Sequence, residues 1–414
     1  MVKLLRGVWR WLTSRAVRQA VDQHRIVRRL LAFQRDRLSA EAASELQAGL
    51  DELARRLHRV DPVPEIDAAR AELERAGHLW LQGMQRRAVP ELIEILIVAS
   101  VLILGVRTFF LQPMTIPTGS MQPTLYGITT ENVRRQPQVQ FPGLAGRALE
   151  QVLYGRRYLE ILARADGELT AVSPVEPAIP WLRGVSWLRK LDFQVGPESY
   201  RIWNPPTELA EVPPWPADHA ILGHARLRPR RLYRAGEALV RLILTSGDHV
   251  LVDRLSYNFR PPRRGDIVVF RTTGIPGIQE GTHYMKRLVA VGGERVRIGD
   301  DRHLVVNGTR LDHRTPGFEQ VYSFNGPARE GEYAGHLNDA VAQSYRMPAG
   351  SLAPRFPNER TEFAVRPGHC LVMGDNTVGS LDGRRWGDFP QEHIVGRYWM
   401  VYWPLSPRFG WVAR

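Results

Sequence analysis

The feature that most constrains this chain is one long apolar segment. Leu92–Val106 carries a single charge, Glu94, and extending the segment to Val89–Leu111 gives 23 residues. A helix of that length could cross the roughly 30 Å hydrocarbon core of a bilayer. We therefore predict one transmembrane helix at 89–111. A buried core helix is the alternative, since the charge-free run covers only Ile95–Val106.

The charges around this segment predict its orientation. Within about 20 residues of the segment, basic residues are more numerous before it than after it. They are Arg70, Arg75, Arg86 and Arg87 before Pro90, and only Arg107 in the stretch 107–126. Because Lys and Arg are enriched on the cytoplasmic side of membrane helices, we expect residues 1–88 in the cytoplasm and 112–414 outside it, in a single-pass arrangement.

The residues before the segment have a helical pattern. Two stripes with apolar residues three and four apart, Leu46–Val60 and Ile66–Trp80, are separated by Pro62 and Pro64, which predicts an antiparallel helical hairpin. The basic stretch 1–37 before it is compatible with a helix on an anionic membrane surface or with a solvated helix, and we leave both open.

The rest of the chain favours strands. Short β-branched runs such as Ile267–Arg271 and Cys370–Met373 alternate with turn residues, and Asp166-Gly167 and Asn307-Gly308 predict two-residue hairpins. The predicted fold is mainly β, an antiparallel catalytic domain preceded by one transmembrane helix and an N-terminal helical hairpin. Within 112–414 we expect a large insertion at 127–246 and an accessory β-hairpin region at 300–367.

Composition excludes several classes of protein and site. Apolar residues make up 43% and charged residues 24%, as in ordinary globular proteins, and a single cysteine rules out an intramolecular disulfide. The net charge of +13 indicates an anionic neighbour, nucleic acid or phospholipid. The absence of a G-x-S-x-G nucleophile motif excludes the α/β-hydrolase fold. The histidines show no metal-ligand spacing, and we predict neither a metal nor a cofactor.

Two residues point to catalysis. Ser120 lies in an irregular Pro- and Gly-rich segment shortly after the apolar segment, and Lys286 lies in an apolar, strand-like run. Only three of the 56 Lys and Arg residues are lysines, so a lysine here indicates a task that arginine cannot perform. Loss of the proton is such a task, because a desolvated ammonium can become a neutral base whereas a guanidinium stays charged. A turn serine and chance retention of lysine remain the alternatives.

Four ordered motifs resemble type I signal peptidases, which are membrane-anchored Ser–Lys endopeptidases. The resemblance covers roughly 90–126 and 247–405. The motifs are Ser120–Leu125 (SMQPTL), Gly247–Tyr257 with Arg264–Phe270, Tyr284–Arg287 (YMKR) and Gly374–Arg384 (GDNTVGSLDGR).

The resemblance implies a role for individual residues. Ser120 would be the nucleophile and Lys286 the general base, with Thr118 contributing to the oxyanion hole and Ser380 orienting the lysine amine. Asp375, Asp382 and Arg384 would give structural support, the last two as an ion pair. Two positions depart from the family pattern, Thr377 where arginine is usual and Gly383 where serine is usual.

The activity implied is removal of signal peptides from exported preproteins at a bacterial inner membrane, with small residues before the cut. Expected partners are preproteins and the phospholipid membrane, with the secretion translocon as a further candidate and no nucleic acid. Two alternatives stay open. One is a self-cleaving Ser–Lys repressor, which would lack a membrane span, and the other is an inert membrane-tethered β domain that binds exported chains. The insertion is either a peripheral decoration or, through Trp181, Trp187, Trp203 and Trp215, a cap over the cleft or a membrane-facing rim.

Overall fold

Helices occupy the first quarter of the chain and strands most of the remainder. A computed structural model describes residues 14–59, 61–81, 88–179, 189–206, 209, 214–324, 335–344 and 352–411. The chain divides into two units, Met1–Ile103 and Leu104–Arg414. The helices are α1 (Arg15–Gln34), α2 (Ala40–Arg59), α3 (Val63–Trp80), α4 (Ala88–Phe109), α5 (Leu144–Tyr154), α6 (Ala220–His224), α7 (Asp339–Ser344) and α8 (Gly383–Trp386).

The strands are also numbered in chain order. They are β1 (Leu111–Thr115), β2 (Thr129–Asn132), β3 (Arg156–Leu162), β4 (Gly167–Val172), β5 (Glu176–Pro177), β6 (Arg189–Val195), β7 (Glu198–Trp203), β8 (Leu232–Tyr233), β9 (Ala238–Thr245), β10 (His249–Asp253), β11 (Ile267–Arg271), β12 (His283–Val291), β13 (Arg295–Ile298), β14 (Leu304–Val306), β15 (Thr309–Arg310), β16 (Phe363–Ala364), β17 (His369–Met373), β18 (Phe389–Pro390) and β19 (Ile394–Trp403).

Helices α1, α2 and α3 share one apolar core. Leu46 and Leu50 of α2 and Leu73 of α3 are buried in it, along the stripes that predict the hairpin. Pro62 caps α3 and Pro64 lies in its first turn, where proline is tolerated because the N–H it lacks would have no helical partner. The basic helix α1 also buries Val27 in this core. Its apolar side therefore packs on the hairpin. Residues 1–13 of the basic stretch lie outside the described residues.

Helix α4 occupies the segment for which the sequence predicts a transmembrane span. Its side chains are described from Ile93 onward. In the described part of the chain no helix is long and apolar enough to span a membrane. The structure therefore does not support the predicted transmembrane span at 89–111.

The predicted antiparallel β catalytic domain is confirmed. A seven-stranded sheet has the order β1-β10-β19-β11-β12-β17-β18, and its pairs are antiparallel. Strand β1 is an edge of this sheet, while β12 lies between β11 and β17. A separate four-stranded sheet has the order β15-β14-β13-β16, and three of its strands, β14, β15 and β16, lie within the region 300–367 predicted as an accessory hairpin.

The segment predicted as an insertion builds its own sheets and core. One sheet has the order β2-β9-β3 and the other β5-β6-β4-β8, with β7 also paired to β6. Its two ends leave and rejoin the β domain side by side, since the Asp248 N–H donates to the Tyr126 carbonyl at 2.8 Å. Trp215 is buried in the insertion's core, where its indole N–H donates to the Leu227 carbonyl, so this tryptophan cannot cap a cleft. Trp203 is exposed, and Trp181 and Trp187 lie outside the described residues.

One of the two predicted hairpins is correct. Asn307 and Gly308 both have positive φ, 49° and 79°, and connect the paired strands β14 and β15. The prediction at Asp166-Gly167 is wrong, because β3 pairs with β9 whereas β4 pairs with β6 and β8. The Asp166 carboxylate instead accepts a hydrogen bond from the Ala235 N–H, a contact with a distant part of the chain.

Candidate active site

Ser120 lies in a short 3-10 turn, Gly119–Met121, between Pro117 and Pro123. A single residue holds this turn from the loop after β17. The Asn376 N–H donates to the Ser120 carbonyl at 3.1 Å, and the Asn376 amide Nδ2 donates to the Gly119 carbonyl at 3.0 Å. Because both carbonyls are fixed, the position of the serine side chain is set by a segment some 250 residues further along the chain.

Lys286 lies in the middle of the sheet, on β12 opposite Val268 of β11. Its side chain is only 4% exposed. The Nζ atom donates a hydrogen bond to Ser120 Oγ at 2.7 Å and lies 3.2 Å from the Met285 carbonyl. The structure therefore brings together the two residues that the sequence marks as nucleophile and base.

The amine is poised to lose its proton. Burial lowers the pKa of Lys286 to about 8, although the negative charges of Asp382 and Asp375 oppose this shift. At pH 8 about half of such amines are neutral, against about half a percent for an unperturbed lysine. A neutral Nζ within hydrogen-bond distance of a hydroxyl can act as a general base.

Asp375 is completely buried and fully paired. Its carboxylate accepts hydrogen bonds from Arg287 Nε at 2.7 Å and Nη2 at 2.6 Å, and from the Thr124 hydroxyl at 2.5 Å. The contacts among Arg287, Asp375 and Thr124 therefore join β12, the loop after β17 and the segment after Ser120. Neither Arg287 nor Thr124 is among the site residues predicted from the sequence. Strand alternation predicts only that Arg287 faces away from Lys286, and it does not show which carboxylate lies there.

The predicted ion pair between Asp382 and Arg384 is present and buried. Arg384 Nε and Nη2 donate to the two Asp382 oxygens at 2.9 and 2.8 Å, and the Gly374 N–H donates to the same carboxylate at 2.9 Å. Burial by itself would raise the pKa of Asp382, but the adjacent Arg384 guanidinium brings that pKa below its usual value. The carboxylate therefore stays charged, and the ion pair fixes the loop that carries Ser380.

Ser380 lies beside this network, and among the described residues no hydrogen bond joins its hydroxyl to the Lys286 amine. Its hydroxyl is buried and lies near enough to the Asp382 carboxylate to help lower the pKa of that group, but among the described residues it makes no hydrogen bond of good length and angle. It packs so tightly on Gly374 that a Cβ at that glycine would lie 2.1 Å from Ser380 Oγ. In this structure Ser380 contributes by packing, and its predicted orienting role stays a prediction.

Thr118 lies beside the nucleophile on the open side of the site. Its hydroxyl is 3.4 Å from Ser120 Oγ, and the residue is exposed. An exposed hydroxyl at this position can reach a group bound next to Ser120, as a donor to a developing oxyanion must.

The two departures from the family pattern have structural explanations. The Thr377 hydroxyl accepts hydrogen bonds from Arg384 Nη1 at 2.5 Å and from the Leu337 N–H at 3.0 Å, so it extends the buried network. Gly383 has no room for a side chain, because a Cβ there would lie 2.6 Å from the Val372 carbonyl.

Ser120 and Lys286 open into a cleft of about 250 Å³. Its other walls are mostly apolar and come from β1 with the residues after it, from β12 and from the loop after Asn376. They include Met114, Ile116, Met121, Tyr284, Met285 and Leu381. No cluster of His, Cys, Asp or Glu suited to a metal ion occurs among the described residues. The arrangement offers a hydroxyl and, in its neutral form, an amine that can accept the hydroxyl proton, beside an apolar cleft; a nucleophile and base so placed can support acyl transfer to serine.

Comparison with known proteins gives a consistent result. The sequence model of the family "Signal peptidase, peptidase S26" matches residues 241–403. The chain is similar to signal peptidase I of Leptolyngbya laminosa, with 29% identity over 39% of this chain and 64% of that protein. It is also similar to signal peptidase I of Aquifex aeolicus, with 29% identity over 41% of this chain and 75% of the relative.

The solved structures include a further similar protein. A crystal structure of a signal peptidase I from Enterococcus faecalis aligns with 33% of this chain and 97% of its own, at 24% identity and a TM-score of 0.21. Among the curated relatives, the match to the Leptolyngbya protein spans less than two thirds of that protein's length.

Proposed function

Because residues 241–403 belong to the S26 signal peptidase family, we propose that this chain is a serine endopeptidase that removes N-terminal signal peptides from exported preproteins. The observation that carries the proposal is the buried 2.7 Å hydrogen bond between Lys286 Nζ and Ser120 Oγ. In the proposed reaction Ser120 is the nucleophile and Lys286 the general base, and no metal or cofactor takes part.

The proposed mechanism has two halves. In the first, neutral Lys286 takes the proton from Ser120 Oγ as the oxygen attacks the scissile carbonyl carbon. The oxyanion that forms accepts hydrogen bonds from the Thr118 hydroxyl and from the Ser120 backbone N–H. When the tetrahedral intermediate collapses, the C–N bond breaks and the lysine ammonium gives its proton to the leaving amine. The leaving chain is the mature protein, and the signal peptide remains as an ester on Ser120.

The second half returns the enzyme to its starting state. Neutral Lys286 removes a proton from a water molecule, which attacks the ester carbonyl. Collapse of this second intermediate breaks the bond to Ser120 Oγ, and the serine recovers its proton from Lys286. The products are the free signal peptide and the unmodified enzyme.

The cleft supports an extended peptide as substrate. Strand β1 pairs with β10 on one side, and its Met114 and Thr115 line the cleft. An edge strand offers backbone N–H and C=O groups to an incoming peptide, whose alternate side chains then enter adjacent pockets. The apolar walls and limited volume favour small uncharged side chains next to the scissile bond. Signal-peptide-bearing preproteins are the proposed substrates, and the translocon that delivers them is a proposed partner.

We further propose that α4 attaches the enzyme to a membrane. Its apolar side chains are exposed all around the helix, for example Ile95 (64%), Val98 (61%) and Leu102 (65%). Such a surface is unfavourable in water and is satisfied by lipid. The arginine asymmetry around it supports a single-pass enzyme of the bacterial inner membrane, with residues 1–88 in the cytoplasm and the catalytic domain outside. Protease added to spheroplasts should then digest the part after Leu111 and spare α2 and α3; the reverse pattern would contradict the orientation.

A serine-reactive acylating probe tests the proposed chemistry. Purified full-length protein should be labelled at Ser120, as located by peptide mass spectrometry, and Ser120→Ala and Lys286→Met should both abolish labelling. If the chain is instead an inert β domain that only binds exported chains, it should bind a preprotein but should not be labelled. Labelling of another serine, or equal labelling of the Lys286→Met variant, would contradict the proposal.

A further inference from the structure

A second cavity lies where α4 ends and the catalytic sheet begins. It measures about 260 Å³ and is separate from the cleft that holds Ser120. It is lined by Thr108, Phe109, Arg254, Asn258, Arg271, Glu392, Ile394 and Val395. None of these residues takes part in the chemistry proposed above, and all of them belong to the unit Leu104–Arg414.

The backbone fixes the two arginines at this cavity. Arg254 directly follows β10, and its backbone N–H donates to the Phe110 carbonyl at 3.0 Å, which ties it to the end of α4. Arg271 is the last residue of β11, where it pairs with His283 of β12. Asn258 closes the 3-10 turn Ser256–Asn258 that follows Arg254. Ordered elements therefore hold the polar groups in place.

Neither guanidinium has an ion-pair or hydrogen-bond partner among the described residues, unlike neighbouring arginines. Arg260 is paired with Asp266, and Arg397 with Asp253. The two free charges lie close enough to His283 that, after burial, they are the further causes of its lowered pKa. The cavity lining holds one carboxylate, Glu392, which is exposed. The lining therefore has a net positive charge, and the N–H donors of both guanidinium groups are available to a ligand.

The surface around the cavity is apolar. Phe259, next to Asn258, is 81% exposed, and Phe109 and Phe110 at the end of α4 are also exposed. A ligand that places a phosphate in the cavity and hydrocarbon along these rings would satisfy both parts of the surface. Arginine suits the first part because its planar fork of donors matches phosphate oxygens.

We propose that this cavity binds the phosphate group of an anionic phospholipid. Arg254 and Arg271 donate to the phosphate oxygens, the Asn258 amide lies beside them, and the acyl chains follow Phe109 and Phe259. The proposal rests on the membrane attachment proposed for α4. Inorganic phosphate or a soluble phosphate ester offers the same oxygens without the hydrocarbon, so the experiment must separate these sources.

The arginines could have a purely structural role instead, because positive charges stabilise the C-terminal end of a helix. In that case replacing them lowers the melting temperature but does not change lipid selectivity. The two roles therefore predict different results for the same variant.

The test uses the full chain in detergent and compares three proteins: the parent, the double variant Arg254→Gln/Arg271→Gln, and the matched control Arg228→Gln/Arg234→Gln. The control loses the same charge from two exposed arginines of the insertion. Binding is measured by flotation with vesicles of phosphatidylcholine alone and of phosphatidylcholine mixed equally with phosphatidylglycerol. Thermal shifts with short-chain phosphatidylglycerol and with inorganic phosphate are measured in parallel.

We expect phosphatidylglycerol to increase the vesicle binding of the parent and of the control. In the Arg254/Arg271 variant this increase should be smaller by about tenfold or more. Short-chain phosphatidylglycerol should raise the melting temperature of the parent but not of this variant. Peptidase activity in detergent should be the same in all three proteins. Equal loss in the control would mean that only net charge matters, and an equal thermal shift with inorganic phosphate would indicate a soluble ligand; either result overturns the proposal.

The same data separate this proposal from the membrane attachment on which it rests. If the parent fails to float even on phosphatidylcholine, the attachment through α4 is wrong. If the parent floats but phosphatidylglycerol gives no gain that depends on Arg254 and Arg271, only the lipid site is wrong.

Discussion

Lys286 is the residue on which the proposed chemistry depends. It is a buried amine with a hydroxyl at 2.7 Å, in a chain that otherwise uses arginine almost everywhere. Arginine at this position would keep the positive charge but could not release a proton at accessible pH. The difference between the two side chains therefore isolates the general-base step.

We predict that Lys286→Arg folds but loses peptidase activity by about 10²–10⁴-fold, the usual contribution of a positioned general base. Initial rates on a purified preprotein, with thermal melting as a check of folding, measure this. Lys190→Arg is the matched control, because Lys190 lies on β6 in the insertion and pairs with Asp192 there. A Lys286→Arg enzyme with more than a few percent of the parent rate would disprove the role of Lys286.

The pH dependence of activity should report the same amine. Because burial lowers the pKa of Lys286 to about 8, the neutral form predominates above that pH and the protonated form below it. On a substrate without ionisable groups near the cut, kcat/KM should rise about tenfold per pH unit up to about pH 8 and then level off. A midpoint near pH 10 would indicate an amine of ordinary pKa and a different base.

Contacts between elements explain why the site is rigid. The turn that carries Ser120 and the loop after β17 are joined by the two hydrogen bonds of Asn376, and both pack against Gly374. A Cβ at Gly374 would lie 2.1 Å from Ser380 Oγ and 2.6 Å from the Ser120 carbonyl. The Ser120 carbonyl belongs to the backbone of the nucleophile, so it cannot move away from such a Cβ without displacing Ser120.

We therefore predict that Gly374→Ala lowers kcat by at least tenfold, with roughly 1–3 kcal/mol of destabilisation from the steric overlap. Enzyme kinetics and thermal melting measure the two effects. Gly143→Ala is the control, because no atom lies within 4 Å of a Cβ placed at Gly143. Full activity of Gly374→Ala would mean that the loop and the turn are not held together as tightly as the structure shows.

The same elements show which features of the structure can be predicted from the sequence alone. Local signals succeeded where the structure depends on neighbouring residues, as in the hairpin at Asn307-Gly308, whose positive φ angles suit those two residues. The identical type of signal failed at Asp166-Gly167, because long-range pairing of β3 with β9 overrides the local turn. Ser120 and Lys286 were found through motif and composition. The residues that support this site, Asn376, Arg287 and Thr124, could not be predicted in the same way. Their hydrogen bonds join residues about 80 to 260 positions apart in the sequence, and such contacts leave no local pattern.

At the scale of the whole molecule, the insertion is the clearest departure from a minimal catalytic domain. It has its own core, and its first and last strands meet where Thr129 pairs with Thr245. Its ends are therefore about 5 Å apart, a gap that a short linker can close. The insertion also contacts the C-terminal part of β19, where the Trp403 indole N–H donates to the Val152 carbonyl at 2.6 Å.

We predict that replacing residues 129–245 by a short Gly/Ser linker preserves cleavage of a detergent-solubilised preprotein at a rate within about tenfold of the parent, because closing a surface loop costs little free energy. The melting temperature should fall, since Trp403 loses its partner. Gly127 and Gly247 are kept, because a Cβ at either would clash with backbone atoms of residues 116–118. A folded but inactive product would show that the insertion completes the site.

The most direct test of the proposed function is cleavage of a signal-peptide-bearing preprotein by the purified full chain, with the new N-terminus of the product determined by mass spectrometry. We expect one cut, at the end of the signal peptide and after a small residue, and this cut should disappear in Ser120→Ala. No cut, cuts at scattered positions, or undiminished cleavage by Ser120→Ala would contradict it.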